Sequence, residues 1–138
     1  MQITIRPYQN EDRRDTIALW HDCHLVVPQN DPHEDILRKI RFQPEFFLVG
    51  LDEGHLIATV MAGYEGHRGW INYLAVSPRH RRKGLGRQML AAAEERLRSL
   101  GCPKINLQVR RTNTAVINFY RNAGFDEDEV VSLGKRLD

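Results

Sequence analysis

Short stretches that are apolar, or that alternate between apolar and polar residues, predict six β-strands, because successive side chains of a strand point to opposite faces. Glycine, proline, aspartate and asparagine residues bound most of these stretches, as expected for strands joined by turns. The predicted strands are residues 3–6, 46–51, 56–64, 70–76, 104–109 and 130–136. A seventh short strand is expected around residues 125–127.

Four other stretches have apolar residues at every third or fourth position, which is typical of helices with one buried face. They are residues 12–24, a short helix that begins at Pro32, residues 84–100 and residues 113–123. Asp12 and Asp31 are the expected N-caps of the first two helices, because a short polar side chain there can accept a backbone N–H bond. Gly101 and Gly124 are expected to end the last two helices.

The order of these elements predicts a mixed α+β fold. The three consecutive strands between residues 46 and 76 are joined by tight turns and indicate an antiparallel meander, whereas the strand–helix–strand unit from residue 70 to 109 places two strands parallel. We therefore expect a mixed, mostly antiparallel central sheet of six to seven strands flanked by about four helices. The length of 138 residues fits a single domain over residues 1–138.

Composition narrows the class of protein. Hydrophobic residues make up 41% of the chain and charged residues 28%, which is typical of a globular domain and argues against a disordered one. The two cysteines, Cys23 and Cys102, cannot form a disulfide framework and are expected to be reduced thiols of a cytoplasmic protein. Neither a signal peptide nor an apolar run of membrane-spanning length is evident, so no membrane partner is expected.

Positive charge is concentrated in one segment. The net charge is only +2, yet residues 79–87 contain five basic side chains and no acidic one. Gly84 and Gly86 lie where this segment enters the third predicted helix. Unpaired N–H groups and a partial positive charge at a helix N-terminus attract anions, and glycine lets a ligand approach the backbone, so the segment predicts a phosphate or pyrophosphate site.

Other interpretations of this segment are a solvated basic turn and a nucleic-acid-binding surface. The near-neutral total charge and the lack of interleaved aromatic residues disfavour nucleic acid. A Rossmann dinucleotide fingerprint is not met because Met89 stands at its third glycine position, and the P-loop pattern of nucleotide triphosphatases is absent.

Two motifs resemble those of the GNAT family of N-acetyltransferases. Arg81-x-x-Gly84-x-Gly86, after a strand that ends in Leu-Ala-Val and a Ser-Pro pair, is similar to the family's acetyl-CoA signature. The stretch at residues 113–125 resembles its later N-x-x-A-x-x-F-Y-x-x-x-G-F helix, with Val116 in place of the usual alanine. The element order matches the GNAT-type fold over essentially the whole chain. Residues 30–32, 63–69 and 132–136 are in addition similar to small bacterial YpeA-type acetyltransferases.

The resemblance implies an enzyme that transfers an acetyl group from acetyl-CoA to a primary amine, directly within a ternary complex and without a metal. It implies that the backbone of Leu74 and Val76 pairs with the pantetheine arm of the cofactor, and that Asn113 and Tyr120 contact that arm. It assigns the CoA pyrophosphate to the following residues: Arg81, Arg82, Lys83, Gly84, Leu85, Gly86 and Arg87.

The resemblance also implies catalytic roles. The Val76 N–H would stabilise the oxyanion, and Tyr120 would protonate the leaving thiolate; for Tyr120 the alternative is a purely structural core aromatic. Asn113 has the alternative role of a helix N-cap. An amine must lose a proton to attack, and Glu65, in the turn before the central strand, is the candidate catalytic residue on the acceptor side, although Glu34, Asn72 and Tyr73 remain open as alternatives.

The acceptor partner is a small-molecule or protein amine whose identity the sequence leaves open. The loop at residues 26–32 and the turn around Glu65 are expected to flank its groove. The protein is expected to be a monomer or a homodimer. The main alternative function is a non-catalytic acyl-CoA-binding sensor with the same fold, which the retention of Tyr120 disfavours.

Overall fold

The computed structural model describes all 138 residues and contains five β-strands, four α-helices and three short 3₁₀ turns. The strands are β1 (Thr4–Pro7), β2 (Phe47–Asp52), β3 (His55–Tyr64), β4 (Gly69–Val76) and β5 (Ile105–Asn106). The helices are α1 (Arg13–Asp22), α2 (Pro32–Lys39), α3 (Leu85–Ser99) and α4 (Thr114–Asn122). Each of the four predicted helices is present, with ends within two residues of the prediction where a range was predicted.

The five strands form one mixed sheet in the order β1-β2-β3-β4-β5. The first three pairings are antiparallel, and β4 and β5, which α3 connects, are parallel. The predicted mixed and mostly antiparallel α+β architecture is therefore confirmed, including the parallel crossover.

The predicted count of six to seven strands is wrong. Residues 125–127 and 130–136 form no strand, and β5 covers only two of the six residues predicted for it. Val130, Val131 and Leu133 are 77%, 82% and 88% exposed. A strand is stable when its backbone pairs with a neighbour and one of its faces is buried. The serine, glycine and two basic residues at positions 132–136 leave this segment little apolar surface to bury.

The chain divides into two compact units, Met1–Leu107 and Gln108–Asp138. The first contains the whole sheet with α1, α2 and α3, and the second contains α4 and the C-terminal segment. The single domain expected from the sequence stays a prediction.

The two faces of the sheet are covered by different helices. Trp20 of α1 and Ile36 of α2 are fully buried in a cluster with Phe47 and Met61. Neighbouring residues of a strand face opposite sides; Thr59 contacts Trp20, whereas Ala58 lies with Gly50 beneath Met89 of α3. The buried side of α3 consists of Leu85, Met89, Leu90, Ala93 and Leu97.

The ends of the first two helices differ from each other. Asp31 is the N-cap of α2, as predicted, and its Oδ1 accepts a bond from the His33 N–H at 2.9 Å. Asp12 precedes α1 but its carboxylate makes no capping bond to that helix. It accepts instead from the Gln9 N–H at 2.8 Å and from both terminal nitrogens of Arg6 at 2.7 and 3.0 Å, so it ties the end of β1 to the start of α1.

Candidate functional site

The loop between β4 and α3 presents backbone N–H groups at the start of a helix. It contains a 3₁₀ turn at Pro78–His80, and it enters α3 through Arg82 and Gly84, which have φ angles of +64° and +75°. Glycine adopts this left-handed conformation without steric cost. The first bond within the helix runs from the Gln88 N–H to the Gly84 carbonyl at 3.1 Å. The N–H groups of Leu85 and Gly86 precede that bond and point out of the helix end.

Five basic side chains surround this helix end. All five are exposed: Arg79, Arg81, Arg82, Lys83 and Arg87. The Nε–H of Arg81 donates to the Val76 carbonyl at 3.4 Å, so that the loop folds back on the end of β4. The structure thus brings the predicted loop residues together at the N-terminus of a fifteen-residue helix, an arrangement that favours phosphate binding.

The end of β4 has an open edge beside this loop. Strand β5 pairs with β4 only at Gly69 and Trp70, and no other strand pairs along that edge. The Ser77 N–H donates to the Ile57 carbonyl of the β3 side at 2.8 Å. Because residues of an antiparallel pair alternate in the direction of their backbone groups, Val76 and Leu74 direct theirs away from β3, towards the open edge.

The carbonyl of Val76 is held in this orientation. It accepts from Cys23 Sγ at 3.3 Å as well as from Arg81. Burial raises the pKa of the Cys23 thiol, against the opposing effect of the nearby Arg81 guanidinium, so the thiol stays protonated and able to donate. The result is a fixed strand end that can pair with an extended ligand next to the basic loop.

A β-bulge lies just before this open edge. Thr59 pairs with Ala75 and Met61 pairs with Asn72. Between these two pairs β4 advances by three residues, whereas β3 advances by two. Tyr73, inside the bulge, has a φ angle of +50°. Its ring stacks on Trp20 with centroids 3.8 Å apart, and its hydroxyl donates to Asp35 Oδ2 of α2 at 2.5 Å. Burial first, and then the bond to Asp35, raise the pKa of Tyr73.

Tyr120 and Asn113 belong to the second unit. Tyr120 is on α4, where it packs edge-to-face against Phe119 and Phe125, with centroids 5.1 and 5.5 Å away. Burial raises the pKa of its hydroxyl to about 12, so the hydroxyl is protonated at neutral pH. Asn113 is the N-cap of α4, and its Oδ1 accepts from the Val116 N–H at 3.3 Å; the capping role considered for it is therefore confirmed.

Glu65 lies in the exposed turn between β3 and β4. Its Oε1 accepts from the backbone N–H groups of His67, at 2.6 Å, and Arg68. The Arg68 bond first and then the His67 bond hold the pKa of Glu65 below its usual range. The turn is at the opposite end of β4 from Val76, roughly 20 Å away along the strand. A role for Glu65 on the acceptor side stays a prediction.

The acceptor-side candidates closer to the open edge lie on β4 and α2. Asn72 is exposed and Tyr73 is half-buried, and these two residues directly precede Leu74. On α2, Lys39 donates to the Ala62 carbonyl. Burial lowers the pKa of Lys39 to about 8, although the charge of Glu45 acts in the opposite direction.

Sequence analysis did not identify Trp20, Thr59 or Lys39 as residues of the site. A bulge centred on tyrosine has no local signature, and the partners of Tyr73 come from three other elements.

No group of three or more histidine, cysteine, aspartate or glutamate residues that could hold a metal ion is present. None of the helices has the length and apolar character needed to cross a membrane.

Comparison with known proteins finds acetyltransferases both by family model and by sequence identity. A family model described as "Acetyltransferase (GNAT) family" matches residues 7–125. An acetyltransferase of Yersinia pestis is 42% identical over 133 residues, which are 96% of this chain and 94% of that protein. An acetyltransferase of Pectobacterium atrosepticum is 41% identical over the same length and shares of the two chains.

Solved structures with related folds are more distant in sequence. Ard1 from Thermoplasma volcanium has a TM-score of 0.78 and 24% identity, over 91% of this chain and 84% of that one. AAC(6')-Iy, solved in complex with the bisubstrate analogue CoA-S-monomethyl-acetylneamine, has a TM-score of 0.79 and 18% identity over 99% of both chains.

Proposed function

Because the chain belongs to the acetyltransferase (GNAT) family, we propose that it transfers an acetyl group from acetyl-CoA to a primary amine, directly within a ternary complex. The observation that carries this proposal is the pairing of two features in one unit: the open edge of β4 at Val76 and the basic helix end that follows it. The open edge suits an extended amide-containing arm, and the basic helix end suits a pyrophosphate.

The cofactor would be held by backbone groups at both places. The pyrophosphate lies at the N-terminus of α3, with the N–H groups of Leu85 and Gly86 and the basic side chains around it: Arg81, Arg82, Lys83 and Arg87. The pantetheine arm runs along β4 and pairs with Leu74 and Val76 as an additional strand would. Asn113 and Tyr120 are the further residues proposed to contact this arm.

Chemistry then takes place beside Val76. Its N–H donates to the oxygen that becomes negative when the amine nitrogen bonds to the thioester carbon. The C–S bond breaks as the tetrahedral intermediate collapses, and Tyr120 donates its proton to the departing thiolate. The attacking nitrogen loses its proton to a base or to a water held by one. No acetylated enzyme is formed on this route.

The acceptor is a small-molecule or protein amine. Glu65 is ionised at neutral pH because its pKa is lowered, so it suits attraction of a cationic group of the acceptor. Since its turn is roughly 20 Å along β4 from Val76, it would contact the far part of an extended acceptor, and Asn72 and Tyr73 are better placed near the reacting amine.

The test is calorimetric titration of CoA into the Gly86→Val variant. A branched side chain in the first turn of α3 blocks the approach of a pyrophosphate to the backbone, so we expect affinity to fall at least tenfold. Ala91→Val, at an exposed position of the same helix, is the matched control and should bind CoA as the unmodified protein does. Equal CoA affinity in all three proteins would place the cofactor elsewhere.

A further inference from the structure

The two ends of β4 have opposite hydrogen-bonding direction. At the first end the Gly69 N–H donates to the Lys104 carbonyl, away from β3, at 2.8 Å. At the other end the Ser77 N–H donates to the Ile57 carbonyl, towards β3, also at 2.8 Å. Residues 69 and 77 are eight positions apart and would point the same way in a regular strand, because backbone direction alternates with a period of two.

The bulge at Tyr73 causes this reversal. One additional residue in β4 shifts every later residue to the opposite direction. Without it, Val76 would bond to β3 and its N–H would be used inside the sheet. With it, the Val76 N–H faces the open edge. The proposed position of the thioester therefore depends on a single inserted residue.

Three contacts fix that residue in place. Thr59 Oγ1 donates to the Tyr73 carbonyl at 2.9 Å, and the Trp20 indole N–H donates to the same Oγ1 at 3.0 Å. The Tyr73 ring in turn stacks on Trp20. Thr59 and Trp20 are both 0% exposed, so neither the indole N–H nor the hydroxyl has water as an alternative partner.

A fourth contact anchors the other end of the tyrosine. Its hydroxyl donates to Asp35 Oδ2, and Asp35 Oδ1 is 3.6 Å from Arg38 Nη1 on the same helix. Left-handed backbone is unfavourable for tyrosine and persists only where the surroundings determine it. Helix α1, helix α2 and strand β3 each supply one side chain that contacts Tyr73, namely Trp20, Asp35 and Thr59.

We propose that Thr59, with Trp20 and Asp35, is a positioning residue that fixes the Tyr73 bulge and so turns the Val76 N–H towards acetyl-CoA. This rests on the proposed function, since it assigns a purpose to the bulge through the cofactor arm. Thr59 does not touch the cofactor in this proposal. It acts on the pantetheine part of the site and leaves the phosphate part, at the start of α3, unchanged.

The experiment compares two ligands by calorimetry: CoA, and 3′-phospho-ADP, which is CoA without the pantetheine arm. Thr59→Val keeps the shape of the side chain but loses both hydrogen bonds, and Thr59→Ser keeps the hydroxyl. We expect Thr59→Val to weaken CoA binding about tenfold and to bind 3′-phospho-ADP as the unmodified protein does, with Thr59→Ser restoring CoA affinity. Trp20→Phe, which keeps a ring against Tyr73 but loses the N–H, should show the same selective loss to a smaller extent.

The outcomes separate this inference from the proposed function. Unchanged CoA affinity in Thr59→Val and Trp20→Phe would overturn the positioning role, as would an equal loss of both ligands, which marks a general loss of structure. Should the unmodified protein bind neither ligand, the proposed function itself fails, and that result is visible before any variant is made.

Discussion

At the scale of single residues, the environment decides which chemistry a side chain can perform. Burial raises the pKa of Tyr120 to about 12, whereas a free thiol titrates near about 8.5. The hydroxyl is therefore protonated across the neutral range, as a proton donor must be, although it is a weaker acid than an exposed tyrosine. Sequence motif and environment agree on the protonation state that the proposed role requires.

We expect Tyr120→Phe to lower kcat by about 100-fold or more, because the ring and its packing remain while the proton donor is lost. CoA affinity should change little. Because the pKa of Tyr120 is about 12, its titration should cause no fall in the kcat of the unmodified protein between neutral pH and pH ~10. Acetyl transfer to a panel of amines, followed as thiol release, provides the measurement.

Tyr64→Phe is the matched control for that variant. The Tyr64 hydroxyl donates to the Gly66 carbonyl in the exposed β3–β4 turn at 3.1 Å, so its removal should leave kcat unaltered. Full turnover in Tyr120→Phe would assign Tyr120 to the packing of α4 against Phe125 and leave protonation of the thiolate to water.

At the scale of elements, one carboxylate sets the connection between β1 and α1. Asp12 is buried; its Oδ2 accepts from Arg6 and from the Gln9 N–H, and its Oδ1 accepts from Arg6. Burial opposes its ionisation, but the Arg6 guanidinium and the Gln9 N–H outweigh this and hold the pKa of Asp12 below its ordinary value of 3.8. Asp12 is thus a junction residue, and not the helix cap that its position in the sequence suggests.

We expect Asp12→Asn to reduce the free energy of unfolding at pH 7 by about 1.5–3 kcal/mol, the usual contribution of hydrogen bonds to a charged group. A carboxyl whose pKa is lower in the folded state than in the unfolded state stabilises the protein at pH values above the unfolded pKa, here 3.8. This contribution is lost as the pH falls through the lower pKa of the folded state. The difference between the two proteins should therefore shrink towards pH ~2.

Urea denaturation at both pH values measures this difference. The matched control is Asp15→Asn, at an exposed position in the first turn of α1. It should lower the free energy of unfolding at pH 7 by less than Asp12→Asn does. A pH-independent loss in Asp12→Asn would mean that the side chain acts through its shape and not through its charge.

At the scale of the whole molecule, α3 approaches the sheet closely because one strand residue has no side chain. A Cβ atom at Gly50 would lie 2.9 Å from Met89 Sδ, 3.0 Å from Ile3 Cδ1 and 3.2 Å from Ala58 Cβ. Strand β3, helix α3 and Ile3, the residue directly before β1, meet at this point. The packing of α3 also sets where its N-terminus, and with it the basic loop, lies beside the end of β4.

We expect Gly50→Val to lower the free energy of unfolding by about 1–3 kcal/mol through overpacking of this contact. Thermal or urea denaturation measures the change. Gly134→Val is the control, because no atom lies within 4 Å of a Cβ at that position, and its stability should match that of the unmodified protein. A Gly50→Val protein of unaltered stability would show that Met89 moves aside at no cost.

The sequence by itself determined the features that depend on local pattern. Helix α3 and the basic loop before it follow from periodic apolar residues, clustered charge and Gly84, whose φ of +75° favours glycine. The Asp31 cap and the parallel β4–α3–β5 crossover follow from equally local signals. Residues a few positions apart, or for the crossover the order of neighbouring elements, produce each of these features, so reading along the chain is sufficient for them.

The tertiary structure alone decided the strand count, the role of Asp12 and the bulge at Tyr73. Residues 130–136 begin with apolar residues that predict a strand, but a strand forms only where a partner strand is available, and none pairs with them. The bulge depends on Trp20, Asp35 and Thr59, which are between 14 and 53 positions from Tyr73. Because its left-handed backbone is held by contacts from three separate elements, the direction of the Val76 N–H is a property of the folded molecule and cannot be read from the residues around it.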